Sequence, residues 1–246
     1  MSGLIGALGL LTRVPLPAAR GAPPGRSLPW FPVVGALLGL VTAVAYAASQ
    51  LVLPTVLSAA LALAVLVLLT GAIHEDGLAD AADAWGGGAD RDSTLRILDD
   101  PRIGSFGALA IAFSVIIRVG ALAALWPSAA VAALPATLAM SRAATVALMA
   151  TTAPAKAGGL GAQYGADRAP IRAGVAVVAA VAISAALLGI SAAVLIGLAL
   201  ASVWLVRRIA LRRIGGFTGD VLGATAQLAE ASGLVALAVI SRAAGG

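Results

Sequence analysis

The sequence predicts an all-α, polytopic transmembrane bundle of about seven spanning helices, or about six to eight by run length. Three observations carry that prediction. The 246 residues are 61% hydrophobic and 11% charged, about half the roughly 25% charge of a soluble domain. Apolar runs near the ~20 residues that a helix needs to cross ~30 Å recur along the chain. Charge is confined between those runs. Thirteen of sixteen basic residues fall in the N-terminal arm and three polar loops, and eight of eleven acidic residues fall between Glu75 and Asp100.

Composition also excludes. There is no cysteine, so disulfides and thiolate metal sites are ruled out. The formal charge of +5 would suggest nucleic acid in a soluble protein. Here the basic residues flank apolar runs, so membrane orientation accounts for them and no nucleic-acid partner is expected. The partner that composition implies is the lipid bilayer.

The start, MSGLIGALGLLTRVPLP, lacks a basic region ahead of its apolar run, and Pro15 and Pro17 stand where a cleavage site would fall. It is read as retained, with Leu4–Leu11 too short to span and lying at the interface. Arg13, Arg20 and Arg26 follow in a Pro- and Gly-rich approach. The first long run is Trp30 to about Ser49, and a break at Gln50 leads to a second from about Pro54 to Ile73. Residues 74–105 are expected to form an acidic cytoplasmic loop. A third run covers Phe106 to Trp126, and Pro127 separates it from a fourth over about Ser128–Ala150. A second polar loop, 151–172, precedes a fifth run from Ala173 to about Leu188. Gly189 marks a tight turn into a sixth, which ends near Val206. A basic third loop, 207–220, precedes the last run, about Val221–Ile240. The breaks near Gln50, Pro127 and Gly189 carry no charge. The positive-inside rule therefore puts the three polar loops together on the cytoplasmic face of a single membrane domain, 1–246. Small residues abound in the helices, and packing alone accounts for them.

The acidic stretch holds the chemistry. Asp76, Asp80 and Asp83 are spaced four and three, so on a helix they share one face. Like charges at that spacing repel, and a divalent cation reverses the sign. Mg²⁺ takes carboxylate and phosphate oxygens together and retains some waters. The bland alternative is a solvated acidic loop. Zinc is a poor fit, because His74 is the only histidine and there is no cysteine. The glycines at 86–88, 104 and 107 allow tight turns, but no Walker signature is present. Arg91, Arg96 and Arg102 interleave with the carboxylates, and a guanidinium can fork onto two phosphate oxygens. Arg142 lies toward the cytoplasmic end of the fourth run and is assigned to a phosphate or a site carboxylate. Arg118 lies deep in the third run, where it is read as either structural or functional. Asp220 opens the last helix beside Gly215, Gly216, Gly219 and four arginines. It is read as an N-cap or as part of the substrate-phosphate site. Together these describe a diphosphate site.

HEDGLADAADAWGGG, RILDDPRIGSFG, GGFTGDVLGA and the early LLTRVPLP resemble the integral-membrane cobalamin synthase family, the adenosylcobinamide-GDP ribazoletransferases. The resemblance runs from about Gly9 to Ile240. It departs at Ala81 and Ala84, where the pattern has hydroxyl residues or glycine. It implies an inner-membrane enzyme that uses Mg²⁺. The 3′-hydroxyl of α-ribazole, or of its 5′-phosphate, attacks the cobinamide-bound phosphorus of adenosylcobinamide-GDP, and GMP leaves. It also implies an acidic core of Glu75, Asp76, Asp80 and Asp83, with Arg102 beside it. Within that frame Asp76 and Asp80 are the expected metal ligands. Asp83 is a third ligand or the proton acceptor, and His74 is the alternative base. Arg91, Arg96, Arg102 and Arg142 are expected to hold phosphates.

Two rivals remain in view. A CDP-alcohol phosphotransferase would also use clustered aspartates, but Asp76-Gly77 is not followed by Ala-Arg. A transporter would carry its carboxylates near the midplane at broken helices, whereas the sequence places them at one aqueous face.

Overall fold

The computed structural model describes residues 2–16, 24–157, 163 and 170–244. Much of the 151–172 loop, and Arg20, Arg168 and Asp167, lie outside the described residues. Ten α-helices are described: α1 (Ser2–Leu11), α2 (Phe31–Ser49), α3 (Thr55–Thr70), α4 (Ile73–Gly87), α5 (Arg91–Leu98), α6 (Ser105–Ala124), α7 (Pro127–Thr151), α8 (Pro170–Leu188), α9 (Ala192–Arg213) and α10 (Gly219–Ala244). A 3₁₀ helix, Pro24–Trp30, leads into α2, and another, Gly189–Ser191, joins α8 to α9. Among the described residues there is no sheet, only an isolated bridge between Pro154 and Phe217.

Five helical stretches are long and apolar enough to cross a membrane, or six if the bent pair α3–α4 is one crossing. The sequence led to an expectation of about seven. The difference has two sources. With 16 residues, α3 is only about 24 Å long at 1.5 Å per residue, short of a full crossing. Residues 170–213 form one apolar stretch of 44 residues, interrupted only by the 3₁₀ turn. That turn contains Gly189 at φ +56°. Leu188 and Ser191 line a cavity with Trp126 and Ser128 at the start of α7. Arg207, near the far end of α9, donates to the Thr151 carbonyl at the end of α7. The chain therefore doubles back at Gly189, and α8 and α9 run in opposite directions.

The central helix is α7, buried along most of its length and packed against α2, α8, α9 and α10. Lipid offers little hydrophobic drive for helix association, so close backbone approach matters. A Cβ built on Gly39 would lie 2.5 Å from the Cα of Pro135 in α7, and one on Gly35 would lie 2.4 Å from the Leu138 carbonyl oxygen. These glycines let α2 lie directly on α7. Pro135 removes one N–H from the interior of α7, and Gly39 packs at that point.

The expected loop at 74–105 is mostly helical, and the second apolar run does not continue straight into it. Gly71 (φ +64°) and Ala72 (φ +58°) both adopt left-handed backbone, and the chain turns by 89°. The Gly71 N–H donates to Leu68 and the Ala72 N–H to Val67, which closes α3. The Asp76 N–H then donates to the Ala72 carbonyl, which starts α4. Arg13, just after α1, donates its backbone N–H to Leu69 at the same corner.

This turn sends the first residues of α4 into the bundle, where a buried ion-pair chain receives them. Arg118 of α6 lies 3.0 Å from Glu75 and 3.0 Å from Glu230 of α10. The other oxygen of Glu230 lies 3.0 Å from Arg142 of α7. Gln227 donates to Glu75 and accepts from Ser114, and Arg142 also donates to the Ser141 hydroxyl. Arg118, Arg142 and Glu230 are each about 1% exposed. Signs alternate along the chain, so two cations and two anions cancel. Single charges at such depth are costly, and the pairing offsets part of that cost. Glu230 and Gln227 escaped the sequence reading, although an acid inside the last apolar run was the available signal.

Removing one partner from a buried pair costs about 3–5 kcal/mol. Glu230→Ala, which leaves two arginines without their shared acid, should lower the thermal midpoint of the detergent-extracted protein markedly. Adding Arg142→Met should recover part of the loss. Equal heat resistance of Glu230→Ala and the unaltered protein would show that the chain of charges does not hold the bundle. A second measurement concerns the α2–α7 contact. Gly39→Leu should reduce the yield of monodisperse protein, whereas the same change at Gly120, which has no neighbour within 4 Å, should not.

Candidate active site

The carboxylate face predicted for 76–83 forms on α4. Asp76 is exposed, and Asp80 and Asp83 are half-buried. Helix α4 crosses α10 at glycine on glycine: a Cβ on Gly77 would lie 3.0 Å from the Asp220 Cα and 3.1 Å from the Gly223 Cα. That contact brings Asp220 to the acidic face, and Asp80 feels the charges of Asp76, Asp220 and Asp83. Asp220 lies inside the first turn of α10, whose start is Gly219. It does not cap the helix, and its carboxylate accepts from the Thr218 hydroxyl at 3.0 Å.

Asp83 differs from its neighbours. Its two oxygens accept the backbone N–H groups of Gly104 at 2.7 Å and Gly107 at 2.8 Å, and so cap the start of α6. A Cβ at either glycine would collide with the carboxylate. Both oxygens are therefore engaged, and the structure places Asp83 as an anchor between α4 and α6. The sequence had offered it as a metal ligand or proton acceptor.

Glu75 points inward to the buried charge chain, away from the aqueous face. Arg142 lies in the same chain, with Glu230 and Ser141 as its partners. The resemblance had placed Glu75 in the acidic catalytic core, and the sequence had given Arg142 to a substrate phosphate or a site carboxylate. The structure keeps both inside the bundle, because the alternation of sign there depends on them.

The remaining arginines organise the cytoplasmic loops. Arg91 donates to the carbonyls of Ile214 and Ala155. Arg213 donates to those of Trp85 and Gly88 at the end of α4, where a cation meets the negative end of the helix dipole. The Ala155 N–H donates to Phe217 and the Phe217 N–H to Ala153. These bonds join the segments after α4, α7 and α9 into one surface. Arg96 is exposed on α5. Arg102 is exposed and forks onto Asp100 at 2.9 and 2.7 Å, which pulls the Asp100 carboxyl down to about 2. Asp90 caps α5 through a reciprocal bond with Ser93, and those bonds hold its carboxyl below the ordinary range. Lys156 pairs with Asp99, and its charge also reaches Asp220.

Beside Asp76 and Asp220 lies a cavity of about 230 Å³, bounded by α1, α2, α4, α7 and α10. Leu11, Phe31, Met149 and Leu222 give it an apolar wall. His74 also lines it, and the buried Nδ1 of His74 has no hydrogen-bond partner.

Among the described residues no three acid or histidine side chains form a preassembled metal cage. The donors on the open face, Asp76, Asp80 and Asp220, are hard carboxylate oxygens. That chemistry fits Mg²⁺, which commonly takes one or two carboxylates and completes its shell with phosphates and water.

Comparison with known proteins identifies the family of the chain. The family model described as cobalamin-5-phosphate synthase matches residues 3–238. An adenosylcobinamide-GDP ribazoletransferase of Azorhizobium caulinodans is 42% identical, over 96% of this chain and 95% of its own length. Proteins of the same name from Rhizobium meliloti and Pseudomonas fluorescens are 41% and 42% identical, each over 87% of this chain and over 86% and 88% of their own. No solved structure matches. By profile and by near-full-length identity, the chain belongs to the cobalamin-5-phosphate synthase family.

Proposed function

We propose that this protein is an adenosylcobinamide-GDP ribazoletransferase of the bacterial inner membrane. It transfers cobinamide phosphate from adenosylcobinamide-GDP to the 3′-hydroxyl of α-ribazole, or of its 5′-phosphate, and releases GMP. The observation that carries the reading is the glycine crossing of α4 and α10, which sets Asp76 and Asp220 together beside a cavity, with Asp80 within reach of both charges.

In the reaction the 3′-oxygen forms a bond to the cobinamide-bound phosphorus while the bond from that phosphorus to the GMP oxygen breaks. Positioning and charge stabilisation supply most of the catalysis in such transfers. Asp76 and Asp220 would hold Mg²⁺, which would supply charge neutralisation to the diphosphate, and Asp80 would stay off the metal. Asp80, half-buried and within reach of three like charges, accepts the proton of the attacking hydroxyl. Arg96, Arg102 and Lys156 lie on the same cytoplasmic surface and take the phosphates. Exposed ion pairs such as Arg102–Asp100 and Lys156–Asp99 contribute little stability, so exchanging an acid for a phosphate is cheap. Asp83 positions α4 against α6, and Glu75 anchors the start of α4.

We further read seven crossings, with α3–α4 as one broken crossing and α8 and α9 as two. The reversal at Gly189 supports this. It puts the Pro170 end of α8 and the Arg213 end of α9 on the cytoplasmic side, where the basic residues gather.

The test is turnover in lipid nanodiscs, with GMP and corrinoid product followed by chromatography. Asp80→Asn should lower kcat by about a hundredfold or more, a loss of roughly 2.7 kcal/mol of transition-state stabilisation, without loss of folded protein. EDTA should abolish turnover. Asp83→Asn should instead lower the thermal midpoint, since it weakens the cap of α6. Full activity of Asp80→Asn would refute the assignment of the acidic face.

A further inference from the structure

We infer that the cavity beside Asp76 and Asp220 is the receptor for the base of the acceptor, a planar and largely apolar benzimidazole; this deepens the functional reading above and rests on it. The substrates offer three bodies that need a place: a corrin ring, a guanosine and a ribazole. At about 230 Å³ the cavity is below the ~300–1,000 Å³ of pockets that enclose drug-sized ligands. The corrin ring is therefore too large. Guanine presents several donors and acceptors along its edge, and each would lose free energy if buried without a partner. The interior wall has little to give them. The Thr145 hydroxyl already donates to the Arg142 carbonyl at 2.8 Å, and the remaining interior lining is apolar apart from His74.

The benzimidazole of α-ribazole makes a smaller demand. Its ring carries one nitrogen that is not bonded to ribose, and that nitrogen is an acceptor. His74 is 6% exposed, and its Nδ1 lacks a partner. Turning the His74 ring so that a protonated Nδ1 faces the cavity would let it donate to that nitrogen, and one orphan would meet one orphan. Leu11, Phe31, Met149 and Leu222 cover the faces and edge of the base. The ribose then emerges at the mouth, between Asp76 of α4 and Asp220 of α10, where the 3′-hydroxyl must meet the phosphorus. His74 thereby acts as a binding residue, and the proton of the hydroxyl goes to Asp80 outside.

Two measurements on the full protein in nanodiscs test this. Binding of free α-ribazole, followed by the fluorescence of its base, needs no turnover. KM is then measured separately for α-ribazole and for adenosylcobinamide-GDP. Met149→Trp, which fills the cavity, should raise the Kd and KM of α-ribazole about tenfold, or ~1.4 kcal/mol, and should leave the KM of adenosylcobinamide-GDP within about twofold. Met149→Ala enlarges the cavity. It should shift kcat/KM about tenfold toward a ribazole that carries a larger naphthimidazole base, a gain that misfolding cannot imitate. If Met149→Trp leaves both ribazole constants unchanged, or Met149→Ala leaves the base preference unchanged, the assignment is overturned. Unaltered protein that binds α-ribazole with this sensitivity to Met149 but makes no product would keep the cavity and overturn the reaction.

Discussion

The pairing of Glu75, Arg118, Glu230 and Arg142 is the constraint on which the architecture turns. Four ionised groups lie inside an apolar bundle, and none of them is tolerable there alone. Together they are neutral, and each arginine meets at least one carboxylate at 3.0 Å. Because the four side chains come from four helices, their mutual satisfaction fixes how α4, α6, α7 and α10 stand relative to one another. Hydrophobic contact cannot do that in lipid, where every apolar face finds an equivalent partner.

The aqueous site follows from that fixture. Glu75 holds the start of α4 at depth, and Asp83 ties the helix to the first N–H groups of α6. Between these anchors, Asp76 and Asp80 face outward beside Asp220. The carboxylates on α4 thus divide their work. Those at the two ends are consumed by structure, and those between are free to meet substrate. Mutual repulsion among the free ones is the local strain that the two anchors offset.

Composition and run lengths made the helical membrane class legible, because lipid imposes a length and a polarity on whatever crosses it. The clustering of acids made the site legible, and their spacing gave the shared face. Individual roles were harder to read. Asp83 and Asp76 look alike in sequence, and only the approach of Gly104 and Gly107 separates them. Arg142 looked like a phosphate ligand because its partner, Glu230, is 88 positions away. The bend at Gly71–Ala72 was hidden for a different reason. Ala72 is a non-glycine residue in left-handed backbone, which residue preferences argue against. Tertiary demands overrode a local rule at the point where the chain enters the site.

Chain order gives the charge pairing one more consequence. Arg118 and Arg142 lie on α6 and α7, which leave the ribosome well before α10. Until α10 arrives with Glu230, Arg142 lacks its acid and Arg118 has only Glu75. During synthesis the early helices must therefore wait, with their guanidiniums drawn toward headgroups, water or the insertion machinery. Insertion of α10 is then the event that allows the earlier helices to settle at full depth. The helix that completes the acidic site also releases the rest of the bundle from an unfinished state, so a half-made chain cannot present a working site.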